Sequence, residues 1–586
     1  MPNDTAGTTT RSQSSGGLRL LLGAALVATA ALAYQGTRPP VALGPNAAPT
    51  EFSAARALPL LRHFADRTHA AGTGAQERAR QFLIGKLTSL GAEVRVEKPA
   101  HVVSRRPFVR QGSVQNIVAT FRGRGNTRAI MLVAHYDSVP EGPGAADDGA
   151  GVISILETLR ALHAGPALRN DLIVLYTDGE EAGLLGAAGF VAEHPDLAER
   201  VGIVINLEAR GSSGPVLMFE TSDQNGWLIQ EFARAAPYPM ASSLMYAAYQ
   251  LLPNDTDLTE LKKTGVGALN FAFTETVRNY HTRFDTAENV DPRSVQQMGA
   301  NTIALARHFG NLPLQKNIRQ PDCVYFNWLG SRLIYYPLWV AWLLALTTVA
   351  LLAFVLVVKH KRGTVRPRFW GVAAFPLLLL VINVGTFLAW SGIKLLFTPS
   401  NLGDTVGNRL IFGGLIAIGL VAGAALLRFL SRRIGELDLT AGLLLSLSIL
   451  GAVDCFLLPG SSYLLQWPAF FGAAGLLLGL QLKNPHEAAW SGLVAALPTL
   501  LIVVPLSYFF FVGLGLNVTL LVILSLLLSL LLAAAWPLFD VILRPWRWLA
   551  AGLLFLALAL FVLGATLSDP GQREATANVS QVPPTD

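Results

Sequence analysis

"LIVLYTDGEEAGLLGA", residues 172–187, decides how the chain is read. A run of aliphatic and β-branched residues is followed by Thr177, Asp178 and Gly179, then two adjacent glutamates, then a glycine-rich helix start. The apolar run has the length and composition of a buried strand. Glu180 and Glu181 directly after it repel each other and lose solvation. Such a pair calls for a cation between it and the rest of the fold.

Outward from this stretch, further short apolar runs alternate with helical patterns. "AIMLVAH" (129–135), "VGIVINLEA" (201–209), "PVLMFE" (215–220) and "GALNFAFTE" (267–275) read as strands, and "GVISILETLRALHA" (151–164) has apolar residues at helical spacing. The alternation predicts an α/β sheet covered by helices over residues 45–320. In such sheets ligands gather at the carboxyl ends of the strands. Those ends and the loops after them carry His135, Asp137, Asp147, Asp148, Glu180, Glu181, Glu208, His281 and Asp285. Singly, each is a surface or capping residue; Asp147 or Asp148 is well placed to cap a helix.

Together, two histidines and several carboxylates without a thiolate suit zinc or another first-row divalent ion. They exceed the three protein ligands of one catalytic zinc. Two ions sharing a carboxylate would use them all.

The whole chain is 586 residues, 52% hydrophobic and only 14% charged, against about 25% charged for soluble domains. The apolar excess lies outside the 45–320 region. Runs long enough to cross a bilayer, about 20 residues, are read at 18–35, 337–358, 369–390, 410–427, 439–458, 463–482, 489–512, 516–541 and 548–567. The first has a cleaved signal peptide as its alternative.

"KHKRGTVRPR" (359–368) carries five Lys/Arg and "RFLSRR" (428–433) three, with Arg544 and Arg547 at a later turn. Basic loops stay in the cytoplasm, so residues 45–330 and the tail after Asp569 fall on the opposite side. Residues 1–17, rich in Ser, Thr and Gly, read as a disordered cytoplasmic tail. Asp454, inside an apolar run, is either functional or a solvated residue near the interface. A net charge of +6, spread over membrane-flanking loops, gives no reason to expect nucleic acid. Cys323 and Cys455 read as free thiols. The expected setting is a bacterial inner membrane with the α/β domain in the periplasm, or a vacuolar or endoplasmic-reticulum membrane in a eukaryote.

At "HYD" (135–137), "GAADDGAG" (144–151), "GEEAGLLG" (179–186), "NLEA" (206–209) and "YHTRFDT" (280–286), the sequence resembles the co-catalytic zinc aminopeptidases of metallopeptidase family 28. A glutamate at 208 resembles the membrane-anchored branch, the endoplasmic-reticulum metallopeptidase and the vacuolar membrane protease. The resemblance implies a zinc-exopeptidase-like mixed sheet flanked by helices, followed by an all-α, eight-helix membrane domain over 333–568. It implies two zinc ions, one held by His135, Asp147 and Glu208 and the other by Asp147, Glu181 and His281. Asp147 is taken as the bridge because the family's bridge lies four residues before the helix glycine, here Gly151. Glu180 is implied as general base and Asp137 as the residue orienting His135.

The activity implied is hydrolysis of N-terminal peptide bonds on the extracytoplasmic side, with peptides and the lipid bilayer as partners. Arg210 and Arg283, beside ligands, read as solvated or supporting residues ahead of substrate contacts. Three alternatives stand beside this. A glutaminyl cyclase would keep part of the ligand set around one zinc. A non-catalytic relative would have lost ligands or base. A transporter would place function in the membrane half.

Overall fold

A computed structural model describes residues 8–105, 108–314, 318–361, 369–397, 403–482, 490–543 and 546–567. They divide into two compact units, residues 36–338 and residues 1–35 with 339–586.

The first unit is built on a seven-stranded mixed sheet. Its strands are β1 (Glu93–Glu97), β4 (Asn116–Phe121), β5 (Ala129–His135), β6 (Leu172–Thr177), β7 (Val201–Ala209), β8 (Ser213–Thr221) and β9 (Gly267–Glu275), in the order β1-β4-β6-β5-β7-β9-β8. Two hairpins, β2 (Ala100–Arg105) with β3 (Phe108–Ser113) and β10 (Cys323–Trp328) with β11 (Arg332–Pro337), lie outside it.

The four central strands β6, β5, β7 and β9 are mutually parallel. Every residue of β5 and β7 is buried, as expected when helices cover both faces, and this is why they read as unbroken apolar runs. Helix Gly151–His163 returns the chain from β5 to β6, and helix Leu185–Glu193 from β6 to β7. Parallel order therefore delivers the carboxyl ends of all four strands to one edge. The outer strands β1, β4 and β8 run antiparallel to their neighbours. "PVLMFE" lies in β8, so its end points away from that edge.

Helix Gly151–His163 lies deep in the fold, and its one inward acid, Glu157, is neutralised by Arg56 at 2.8 Å and Arg160 at 2.7 Å. Helix Pro292–Asn311 starts with Pro292 in its first turn and Asp291 accepting the Arg293 N–H, an ordinary helix start. It packs Val295, Met298, Ile303 and Phe309 into the same core as β5 and β7.

The second unit is helical. Among the described residues, eight helices are long and apolar enough to cross a membrane: 16–35, Leu338–Lys361, 371–396, Val406–Ile434, Glu436–Leu457, Leu493–Leu514, Val518–Ile542 and Trp546–Thr566. The sixth of the nine stretches read from sequence, 463–482, forms helix Ser462–Gly479 but is not one of the eight. At 18 residues it spans about 27 Å, and Gln466, Trp467 and Pro468 dilute its apolar character.

Helix Thr8–Gln35 starts inside the 1–17 stretch that composition marks as disordered, by N-terminal extension of the apolar run. Residues 1–7, the tail after Asp569 and the basic residues Arg362, Arg366, Arg368 and Arg544 lie outside the described residues.

Small residues let helices approach closely here. A Cβ on Gly423 would lie 2.6 Å from Leu532 Cδ1. Asp454 accepts the Ser461 hydroxyl at 2.8 Å. It ends its helix by bonding the following turn, which is the bland reading of an acid at that place. Both cysteines are free thiols.

Candidate metal centre

The carboxyl edge of the parallel strands gathers the sequence-predicted residues. His135 ends β5, with its side chain 1% exposed. Its Nδ1 is 3.0 Å from the Asp137 carbonyl oxygen, so Nδ1 donates there and Nε2 is the nitrogen that faces the centre. That Nε2 lies 3.1 Å from Asp147 Oδ1 and 3.8 Å from Glu208 Oε2. Glu208 stands near the end of β7, buried, with Asn206 donating to its Oε1 at 3.3 Å.

On the other side, His281 Nε2 lies 3.1 Å from Asp147 Oδ2 and 3.2 Å from Glu181 Oε2. Asp147 thus offers one oxygen to each imidazole. His135–Asp147–Glu208 and Asp147–Glu181–His281 are each groups whose ligand atoms all lie within 4.8 Å of one another, and they share Asp147. His135, Glu180 and Glu181 form a further such group, which brings Glu180 within reach of the same centre.

The local chain explains these positions. Residues 145–150 form a wide helical turn ahead of helix Gly151–His163. Asp285 takes the Ala146 N–H at 2.7 Å and the Asp147 N–H at 3.2 Å, pinning that turn. Asp148 turns inward and accepts the Gly151 N–H at 3.0 Å. Asp148 is therefore the capping residue, and Asp147 the one between the imidazoles. A Cβ on Gly142 would sit 2.2 Å from the Thr282 carbonyl oxygen, so glycine lets the Asp147 loop close against the His281 loop. Gly179, at φ +69°, makes the sharp exit from β6 that presents Glu180 and Glu181.

Asp137 behaves differently from the expectation. His135 makes its proton bond to the Asp137 backbone carbonyl, and the Asp137 carboxylate is 3.6 Å from Nδ1. That carboxylate instead accepts the Glu180 N–H at 3.1 Å and the Glu181 N–H at 3.2 Å. Asp137 orients the glutamate pair through its carboxylate and His135 through its backbone carbonyl.

The electrostatics are those of a site built for cations. Burial pushes Glu180 and Glu208 well above the ordinary glutamate value, and Glu181 to about 7, with neighbouring carboxylates adding to the rise. Burial works against a charged His281, yet its bonds to Asp147 and Glu181 push it up to about 10. Glu181 Oε1 and Asp148 Oδ2 are buried without a hydrogen-bond partner. Carboxylate oxygens without a partner, beside two imidazoles that share Asp147 and with no thiolate, fit first-row divalent ions such as zinc.

Residues 116–306 match the profile of peptidase family M28. They form a family M28 peptidase domain. The domain is similar to endoplasmic reticulum metallopeptidase 1 of Mus musculus, with 34% identity over 233 residues, 38% of this chain and 26% of that protein. It is also similar to the vacuolar membrane protease of Candida dubliniensis, with 28% identity, covering 46% of this chain and 30% of that one. The chain thus spans between a quarter and a third of the length of these two relatives. They are an animal and a fungal protein, and they lend no support to a bacterial inner membrane. Among solved structures, the chain is similar to an aminopeptidase from Aneurinibacillus sp. strain AM-1, with 14% identity, 47% of this chain and 98% of that chain covered, and a TM-score of 0.38.

Two residues at the M28 centre escape the sequence reading. Tyr280 stacks on His281, ring centroids 3.7 Å apart, and the charges of Asp147, Glu181, Glu180 and Glu208 bear on its hydroxyl. Its position directly before the late histidine is the available signal. Asp257, fully buried, accepts the Thr177 hydroxyl and lies close enough to Glu180 to raise it. Its signal is weaker, an acid in "NDTD" (254–257) before a short helix.

Proposed function

We propose that the chain is a membrane-bound, zinc-dependent aminopeptidase that hydrolyses N-terminal peptide bonds, its M28 domain on the extracytoplasmic side. The observation that carries this reading is Asp147, with one carboxylate oxygen 3.1 Å from each of two histidines in two overlapping ligand groups. In this reading two zinc ions are held, one by His135, Asp147 and Glu208 and one by Asp147, Glu181 and His281. When bound, zinc supplies a Lewis acid for the scissile carbonyl and acidifies water.

The chain's own groups do the rest. Glu180 accepts the proton of the attacking water and returns it to the leaving amine. Its raised affinity for a proton, from burial beside Asp257 and Glu181, suits a base working near neutral pH. Asp137 fixes the backbone of the pair, so Glu180 and Glu181 keep distinct jobs. Asp285 holds the Asp147 loop, and Tyr280 backs His281 by stacking on its ring.

The basic residues Lys359, Lys361, Arg428, Arg432, Arg433 and Arg547 at the ends of the apolar helices support a cytoplasmic location for those loops. Keeping the 428–433 and 544–547 loops on one side requires an even number of crossings between them. Helix Ser462–Gly479 is therefore counted as a ninth crossing. Peptides and the bilayer are the partners in this reading.

The test is release of N-terminal residues from a peptide panel by the purified, zinc-supplied chain. Cleavage abolished by Glu180→Gln supports the reading. Cyclisation of N-terminal glutamine without hydrolysis would replace it with a cyclase, and no turnover in folded protein would defeat it.

A further inference from the structure

Most arginines in the first unit are satisfied by neighbours. Arg56 and Arg160 share Glu157, Arg234 pairs with Glu231, and Arg293 with Asp291. Arg210 is different. It lies two residues beyond Glu208, in the bend just past the end of β7 at Ala209, with its backbone N–H on the Phe273 carbonyl at 3.0 Å.

Arg210 therefore stands just past the carboxyl edge of the sheet, two residues along the chain from the proposed ligand Glu208. It is half-buried, yet among the described residues its guanidinium has no ion pair or hydrogen bond. Even Glu208 is not within ion-pair distance. Arg283, two residues after His281, is a second unpaired cation at this rim, exposed and 4.9 Å over the Phe284 ring.

A half-buried guanidinium next to a carboxylate-rich centre, unpaired with any of those carboxylates, is disposed to take an anion from outside. Its planar fork matches a carboxylate best. We propose that Arg210 is a specificity-determining residue that binds a carboxylate of the substrate. This rests on the peptidase reading and narrows it to peptides with a carboxylate near the scissile bond. Two sources share that chemistry, the free C-terminus of a very short peptide and an Asp or Glu side chain.

The test measures binding by calorimetry on the zinc-loaded full chain carrying Glu180→Gln, so the probes are not consumed. The probes are Leu-Ala against Leu-Ala amide, which reports the C-terminus, and Leu-Glu amide against Leu-Gln amide, which reports the side chain. In at least one pair the carboxylate member binds about tenfold tighter or more. That preference disappears when Arg210→Gln is added and persists in part with Arg210→Lys, which keeps the charge and loses the fork.

Equal affinity within both pairs, absence of binding, or a preference that survives Arg210→Gln overturns the proposal. Failure of the wild-type chain to hydrolyse peptides defeats the aminopeptidase reading instead, and leaves a carboxylate preference that depends on Arg210 standing.

Discussion

The Asp137 carboxylate accepts the backbone N–H groups of both Glu180 and Glu181, one on each oxygen, at 3.1 and 3.2 Å. One buried side chain thereby sets the geometry of the proposed base and of an adjacent metal ligand. Asp137→Asn leaves one of those amides facing an NH2 group. Supporting residues of this kind typically change activity or metal affinity by about 10–100-fold. A fall of that size in kcat, beside a drop in unfolding temperature like that of a single lost amide bond, is the expected result. It is checked by steady-state kinetics beside a thermal melt.

Asp285 plays the matching part for Asp147. Asp285→Ala strands the amides of Ala146 and Asp147 in a buried turn, at about 1–3 kcal/mol for each unsatisfied group. The melt should drop clearly, and zinc should bind more weakly because the bridging residue loses its support. Asp285→Asn, which can accept only one of the two bonds, should lie between.

Much of this centre is legible in the sequence because the parallel sheet converts strand ends into neighbours. His135, Glu180, Glu181, Glu208 and His281 each stand at the end of an apolar run or in the loop just after it, and the run itself marks the place. Which partner a side chain selects is not legible in this way. Asp147 and Asp148 are adjacent and identical in type, and only the turn at 145–150 sends one to the imidazoles and the other to the Gly151 amide. Proximity in sequence assigns Asp137 to the imidazole two residues before it, yet its carboxylate bonds a loop 43 residues away. Asp257 is 80 residues from Thr177, and no local pattern announces that contact.

Without metal, stability should fall as pH rises. Burial raises Asp178 and Asp257 to about 6, and Glu181 and Asp285 to about 7. The folded state therefore holds protons that the unfolded chain releases near pH 4. Protonation then favours folding at low pH, and the advantage is lost between about pH 4 and 7. His281, raised to about 10, extends the decline above its ordinary value of 6.5. Zinc competes with those protons, so its stabilising increment should grow over the same range. Thermal melts from pH 5 to 8, with zinc and with chelator, test both slopes. A metal-free melt that rises with pH would contradict the account.

The crossing by helix Ser462–Gly479 has its own test. In a background with Cys323 and Cys455 replaced by Ser, single cysteines at Ser461 and at His486 should label from opposite sides of sealed vesicles. Labelling from the same side would remove that helix from the set of spans and break the alternation of the basic loops.

The shared position of Asp147 is the central claim, and metal content per chain measures it most directly. Zinc-loaded wild-type protein should carry two ions, His281→Ala one, and Asp147→Ala less than one, all in folded protein. A wild-type content of one, unchanged by His281→Ala, would contradict a two-metal centre bridged by Asp147.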